Sequence, residues 1–171
     1  HRNDDNSSLG DWFVNQDKLT GGLKRVADRT HEHCMKFGLW FEPEMISVDS
    51  KLYKEHPDYA LHEPNRGMTL SRNQLVLDFS RKEVVDNIYN QMCLILDKVP
   101  LDYIKWDFNR NLTEVFSSAA DAEHQGEVSH RYVLGLYDLM ERLVTRYPNI
   151  LFEGCSGGGG RFDAGILYYM P

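Results

Sequence analysis

Three times along the chain, apolar residues at helical spacing give way to a short run with the two-residue period of a strand. That order constrains the fold more than any other feature. The helical stretches are 22–36, with Leu23, Val26, Ala27 and Met35 among charges; a second carrying Val84, Val85, Ile88, Met92, Ile95 and Leu96 to about Lys98; and 127–147. Gly38 stands where the first should stop, and Ser80-Arg81-Lys82-Glu83 has the form of a capping box opening the second. The strand-like runs are 37–45, broken by Pro43, then 103–108, then 150–155, which leads into Ser156-Gly157-Gly158-Gly159-Gly160. Such an order predicts right-handed crossovers and parallel strands rather than hairpins, an α/β fold. A closed (β/α)8 barrel takes roughly 250 residues. The 171 residues here are therefore expected to supply about three to four parallel βα units, a partial TIM barrel. Such a run would leave two open sheet edges and partly uncovered apolar strand faces, so self-association as a homo-oligomer or a rearranged packing is expected.

The stretches outside these elements narrow the function. Residues 1–16 are polar and turn-rich and read as a loop. Residues 47–72 form a long connection rich in His, Pro, Asn and Gly, of the kind that covers a site. The formal net charge of −7, with scattered basic residues, argues against nucleic acid or an anionic membrane surface and suits a neutral ligand. No run approaches the about 20 apolar residues that span a bilayer, and His1-Arg2-Asn3-Asp4-Asp5 is unlike a signal peptide. Cys34, Cys93 and Cys155 have no CxxC spacing, which makes a reducing, cytoplasmic setting the default. His31-Glu32-His33 lacks the HExxH spacing, and no metal site is expected there or at His56 and His62.

Candidate chemistry concentrates at the carboxyl ends of the strand-like runs. Side chains two apart on a strand share a face, so Lys105, Asp107 and Asn109 point one way and Ile104, Trp106 and Phe108 the other. With the apolar face packed on helices, the polar face lies at the mouth of the barrel, where a lysine beside Asp107 would hold the carboxylate ionised as a nucleophile. A structural salt bridge at a strand end is the alternative. By the same alternation Trp40 faces inward, either to stack on the apolar face of a sugar or to fill the core. Glu42 and Glu44 are rival catalytic carboxylates, or solvated loop acids. The run Gly154 to Arg161 lacks the Gly-Lys-Ser/Thr ending of a phosphate loop, and its glycines better suit close backbone approach to a ligand. Glu153 is a candidate partner that neutralises Lys105.

Four blocks in order resemble a known family: Leu39-Trp40-Phe41-Glu42-Pro43-Glu44-Met45, Arg72-Asn73-Gln74-Leu75-Val76-Leu77-Asp78, Lys105-Trp106-Asp107-Phe108-Asn109-Arg110 and Phe152 through Asp163. Together with Arg2 to Trp12 they resemble glycoside hydrolase family 36, the bacterial α-galactosidases, across nearly the whole chain. The resemblance implies that residues 1–171 are a fragment of a single catalytic barrel domain. It implies a double displacement, without cofactor, on terminal α-linked galactose of oligosaccharides such as melibiose and raffinose. It places the nucleophile at Asp107, sugar-hydroxyl contacts at Lys105, Arg72 and Asn109, an aromatic wall at Trp40, and strand-end contacts at Cys155 and Gly157. It also implies that the Asp-Asp pair gripping galactose, the acid/base Asp, a β-sandwich domain and tetramer contacts belong to other parts of such a protein. This chain alone is then expected to be inactive. Noncatalytic self-association, or action on a different α-linked sugar, are the alternative functions.

Overall fold

The strand-like runs become three short strands in one parallel sheet, and the helical stretches pack on one of its faces. In the computed structural model, which describes residue 4 and residues 6–170, the elements are α1 (Gly22–Glu32), β1 (Gly38–Phe41), β2 (Met45–Ile46), α2 (Lys51–Glu55), β3 (Leu75–Val76), α3 (Lys82–Leu96), β4 (Tyr103–Trp106), α4 (Val128–Arg146), β5 (Leu151–Gly154), α5 (Ser156–Gly159) and α6 (Ala164–Tyr169). Parts of the expected opening loop, residues 1–3 and 5, and Pro171 lie outside the described residues. The sheet order is β1-β4-β5, with both pairings parallel. The expected α/β class with a parallel sheet is therefore what the chain forms. One hairpin-like exception exists: β2 and β3 pair antiparallel, apart from the main sheet, because Pro43 ends β1 and the chain resumes pairing only at Met45.

Register aligns Leu39, Ile104 and Phe152 in one row and Trp40, Lys105 and Glu153 in the next. Neighbouring rows face opposite ways, so one side is apolar and the other polar. Phe41, Ile104, Trp106 and Phe152 are buried in a single hydrophobic cluster with Val84, Val85, Ile88 and Met92 of α3 and Tyr132, Leu136, Leu139 and Leu143 of α4. Each large apolar side chain moved out of water there contributes about 1.5–3 kcal/mol. The uncovered face is the polar one, with Tyr103, Lys105 and Glu153 at least partly accessible and Leu151 exposed. Partly uncovered apolar strand faces were the expectation; Phe41, Ile104, Trp106 and Phe152 are buried there, and Leu39 stays half-buried. The outer edges of β1 and β5 carry no further strand among the described residues.

Three local expectations differ from the structure for identifiable reasons. The first helix stops at Glu32 rather than Lys36, because Cys34 takes a left-handed backbone (φ 56°) and the Cys34 and Met35 amides close back onto the His31 and Thr30 carbonyls. The capping box does not form. Ser80 donates its hydroxyl and amide to Asp78, and Glu83 accepts instead from Arg81 Nε at 2.8 Å. A further short helix, α6, is begun by Asp163, whose carboxylate accepts the Gly165 and Ile166 amides at 2.9 and 3.0 Å.

The long connection is pinned to the segment that follows β4. Glu114 accepts the Thr69 amide at 2.7 Å and hydrogen-bonds His62 Nδ1 at 2.9 Å. With Thr69 the largest contributor, these bonds hold the Glu114 carboxyl down to about 2 against the opposing effect of burial. The tightest packing point lies between α4 and the loop after β3. A Cβ added at Gly135 would sit 1.9 Å from the Phe79 carbonyl oxygen, whereas one at Gly126 meets nothing within 4 Å. Gly135→Ala is expected to destabilise the chain by about 2–3 kcal/mol, read as a lower urea midpoint. Gly126→Ala is expected to stay within about 0.5 kcal/mol.

Candidate active site

β4 carries the candidate nucleophile one residue past its end. The Asp107 amide donates to the Phe41 carbonyl at 2.8 Å, and the Cys155 amide donates to the Trp106 carbonyl at 2.8 Å. The three parallel chains thus stay in register just beyond the strands, and this brings Trp40, Asp107 and Cys155 together. Trp40 Nε1 donates to Asp107 Oδ2 at 3.0 Å and the Phe108 amide to Oδ1 at 3.0 Å, with the Asn109 and Cys155 side chains as further partners. Asp107 is 8% exposed. Burial pushes its pKa up, but the bonds from Trp40, Asn109, Cys155 and Phe108 together outweigh it, and the carboxyl lies below its ordinary value. Asp107 is an ionised carboxylate fixed by neutral donors.

Lys105 shares the face but is not the group that sets this charge. Its Nζ lies 3.8 Å from Glu153 Oε1, beside it in the register, with the two side chains 41% and 49% accessible. Glu153 also accepts the Tyr103 hydroxyl, a bond that, with burial, pushes the tyrosine up to about 12. The neutralising role suggested for Glu153 therefore matches the geometry. The expectation that Lys105 ionises Asp107 gives way to the donor set above. The ammonium faces the open side of the sheet with only a loose partner.

Trp40 is half-buried, with its ring centroid 6.2 Å from that of Trp12, which packs at 5.1 Å on Phe41. The core-filling reading holds in part, since the indole leans on the core while its N–H donates to Asp107. Asn109 reaches Asp107 with its side chain and gives its amide to Glu42 Oε1 at 2.8 Å. Arg72 stands apart, exposed, with φ 55° at the tip of a tight turn with Asn73 (φ 57°), closed by the Ser71–Gln74 bridge. Positive φ at two successive positions is what a two-residue turn of this hand demands. Gly157 is likewise exposed, in a turn where Ser156, Gly157, Gly158 and Gly159 all have positive φ, from 55° to 107°.

Glu42 and Glu44 are fully buried, which corrects the picture of solvated loop acids. Glu42 accepts from the Asn109 amide and from Gln74 Nε2 at 3.3 Å. Glu44 accepts Trp106 Nε1 at 2.9 Å, the Tyr132 hydroxyl at 2.5 Å, and a two-pronged approach from Arg161 at 2.8 Å on each oxygen. No local pattern in the sequence announces this network, whose members lie 62, 88 and 117 positions from Glu44. Arg110 is a further residue of weight that spacing did not reveal. It is buried and donates to the Thr69 and Gln74 carbonyls and to Thr113 Oγ1, fastening the turn that carries Arg72 to the segment that carries Asp107. At the opposite end of the sheet, His31 pairs with Asp102 at 2.7 Å, and Lys36 and the Phe37 amide also donate to it. No group of three His, Cys, Asp or Glu among the described residues is placed to hold a metal ion, and no helix among them is long and apolar enough to cross a membrane.

The chain that carries this sheet end is similar to known proteins over nearly its whole length. The family model described as Melibiase matches residues 1–171. Alpha-galactosidase Mel36A of Lactobacillus acidophilus is 63% identical over 171 residues, all of this chain and 23% of that protein. The crystal structure of the GH36 alpha-galactosidase AgaB from Geobacillus stearothermophilus superposes with a TM-score of 0.97 at 55% identity, covering 99% of this chain and 24% of that one. A variant of AgaA from the same organism, in complex with raffinose, superposes with a TM-score of 0.96 at 55% identity, again covering 99% and 24%. The chain belongs to the melibiase family, among the α-galactosidases of glycoside hydrolase family 36. It spans about a quarter of the length of these relatives.

Trp40→Phe keeps the ring and deletes the first of the donors that lower Asp107. The Asp107 carboxyl is expected to titrate at higher pH in that variant, followed by the carbon-13 shift of the carboxyl. An unchanged midpoint would refute the indole's part in holding the charge.

Proposed function

We propose that the protein to which this chain contributes is a retaining α-galactosidase, that residues 1–171 are part of its (β/α)8 catalytic barrel, and that Asp107 is its nucleophile. The observation that carries this is the state of Asp107: ionised, immobilised by four kinds of donor, and set at the carboxyl end of the central strand on the sheet's polar side. Active sites of such barrels gather at that end. The raffinose held by a close relative supports an oligosaccharide with terminal α-linked galactose as substrate, melibiose and raffinose being examples.

In the first step a carboxylate oxygen of Asp107 attacks the anomeric carbon from the face opposite the leaving group. The glycosidic bond breaks, the leaving oxygen takes a proton from a carboxylic acid, and a β-galactosyl ester remains on Asp107. Water, deprotonated by the same acid in its basic form, then attacks that carbon and restores the α configuration. The proton donor must lie about 5–5.5 Å from the nucleophile. The resemblance to family 36 implies that this donor is a residue outside this chain, which on its own is then inactive; Glu42 and Glu44 are buried and hydrogen-bonded within the fold. Lys105, Arg72 and Asn109 would bind sugar hydroxyls, Trp40 would form an aromatic wall, and Cys155 and Gly157 would contact the sugar at the strand end. The proposed substrate is neutral, in keeping with the net charge of −7, and the family resemblance implies a reaction without cofactor. The free thiols of Cys34, Cys93 and Cys155 support a cytoplasmic setting, and the unpaired edges of β1 and β5 support self-association of the isolated chain.

In the full-length protein, Asp107→Asn is expected to lower hydrolysis of an aryl α-galactoside by about 10³-fold or more, while wild-type turnover in that variant would sink the assignment. The isolated 171-residue chain is expected to show no turnover of the same substrate and to scatter light as an oligomer. A monomer with measurable turnover would contradict both statements.

A further inference from the structure

Asp107 is fixed by its own hydrogen bonds, but the chain on either side of it is fixed by a different device. On the amino-terminal side, Trp106 gives its indole N–H to Glu44 Oε1 at 2.9 Å. On the carboxyl-terminal side, the guanidinium of Arg161 lies over the Phe108 ring, 4.7 Å from its centroid, and Phe108 supplies the amide that binds Asp107 Oδ1. Arg161 is joined to Glu44 through two 2.8 Å bonds, so both neighbours of Asp107 hang from one ion pair. Tyr132 of α4 adds its hydroxyl to the same carboxylate.

The pair also closes the glycine turn. Cys155, a partner of Asp107, is tied at its amide to the Trp106 carbonyl, and the chain then runs through four residues of positive φ before reaching Arg161. Side-chain packing does little to hold that run, since a Cβ added at Gly157, Gly158 or Gly159 would meet nothing within 4 Å. Its near end is held by Cys155 and its far end by Arg161. With Glu44 fully buried and Arg161 partly so, the pair is an inefficient means of stabilising a fold, because desolvation offsets much of its attraction. Its two-pronged geometry, by contrast, fixes direction as well as distance.

We infer that Glu44 and Arg161 form a positioning pair for the nucleophile, holding both chain neighbours of Asp107 and the far end of the turn that carries Cys155 and Gly157. This rests on Asp107 being the nucleophile. Neither residue touches substrate; their effect passes through Trp106, Phe108 and the turn. A small displacement of an attacking atom costs rate while leaving a bound sugar's hydroxyl contacts in place.

The test uses the full-length enzyme, with kcat on an aryl α-galactoside normalised to folded protein and the inhibition constant of free galactose measured alongside. Glu44→Gln is expected to lower kcat by about 10- to 100-fold with galactose inhibition unchanged. Arg161→Lys keeps the charge but loses the fork, and is expected to fall in the same direction by a smaller factor. If Glu44→Gln does not fold, Arg161→Lys carries the same readout. Variants that melt earlier yet keep wild-type kcat per folded molecule overturn the inference, as does a loss of galactose binding in step with the loss of kcat. Asp107→Asn, run in parallel, separates the two levels: full activity there defeats the nucleophile assignment, whereas an inactive Asp107→Asn beside fully active Glu44→Gln and Arg161→Lys defeats only the positioning role.

Discussion

Taking a carboxylate out of water costs several kcal/mol unless charge or convergent donors replace its hydration. This chain meets that demand three times at one end of one sheet. Glu44 is answered by a full opposite charge, Arg161, with Trp106 and Tyr132 completing the shell. Glu42 accepts, among its partners, the Asn109 backbone amide and the Gln74 side-chain amide. Asp107 is answered by an indole, a backbone amide, an asparagine and a thiol, at the end of the sheet's central strand.

What was legible in the sequence was whatever depended on local geometry. The pleat is a property of every strand, so the separation of Lys105, Asp107 and Asn109 from Ile104 and Trp106 followed from counting by two, and Trp40 took its place by the same rule. Partners supplied by register were not legible in that way. Lys105 was assigned to its sequence neighbour Asp107, but alignment of β4 with β5 sets Glu153 directly beside it. The burial of Glu44 was hidden for a stronger reason, because Tyr132 and Arg161 come from a helix and a turn far along the chain. Local signals also lost to nearer competitors. Ser80 had an acceptor in Asp78 two residues away, and the left-handed backbone of Cys34 ended the first helix before Gly38, where it had been expected to stop.

The long connection illustrates how a loop with little regular structure can still be held to a site. Arg110, three positions past Asp107, binds carbonyls at Thr69 and Gln74 on either side of the turn that bears Arg72. Glu114 repeats the arrangement with opposite charge, taking the Thr69 amide and His62. The segment that delivers the carboxylate therefore also delivers the anchors for the loop above it.

The glycine turn after β5 separates two kinds of room. Around Gly157, Gly158 and Gly159 there is ample physical space for a side chain, yet their backbone lies where an L-residue carries a penalty of about 1–2 kcal/mol per position. Substitution in this stretch is thus filtered by chirality before any new contact is tried. Diversification at this rim must come from the residues flanking the turn, and Cys155 and Arg161, each already bound into the sheet end, leave it few places to begin.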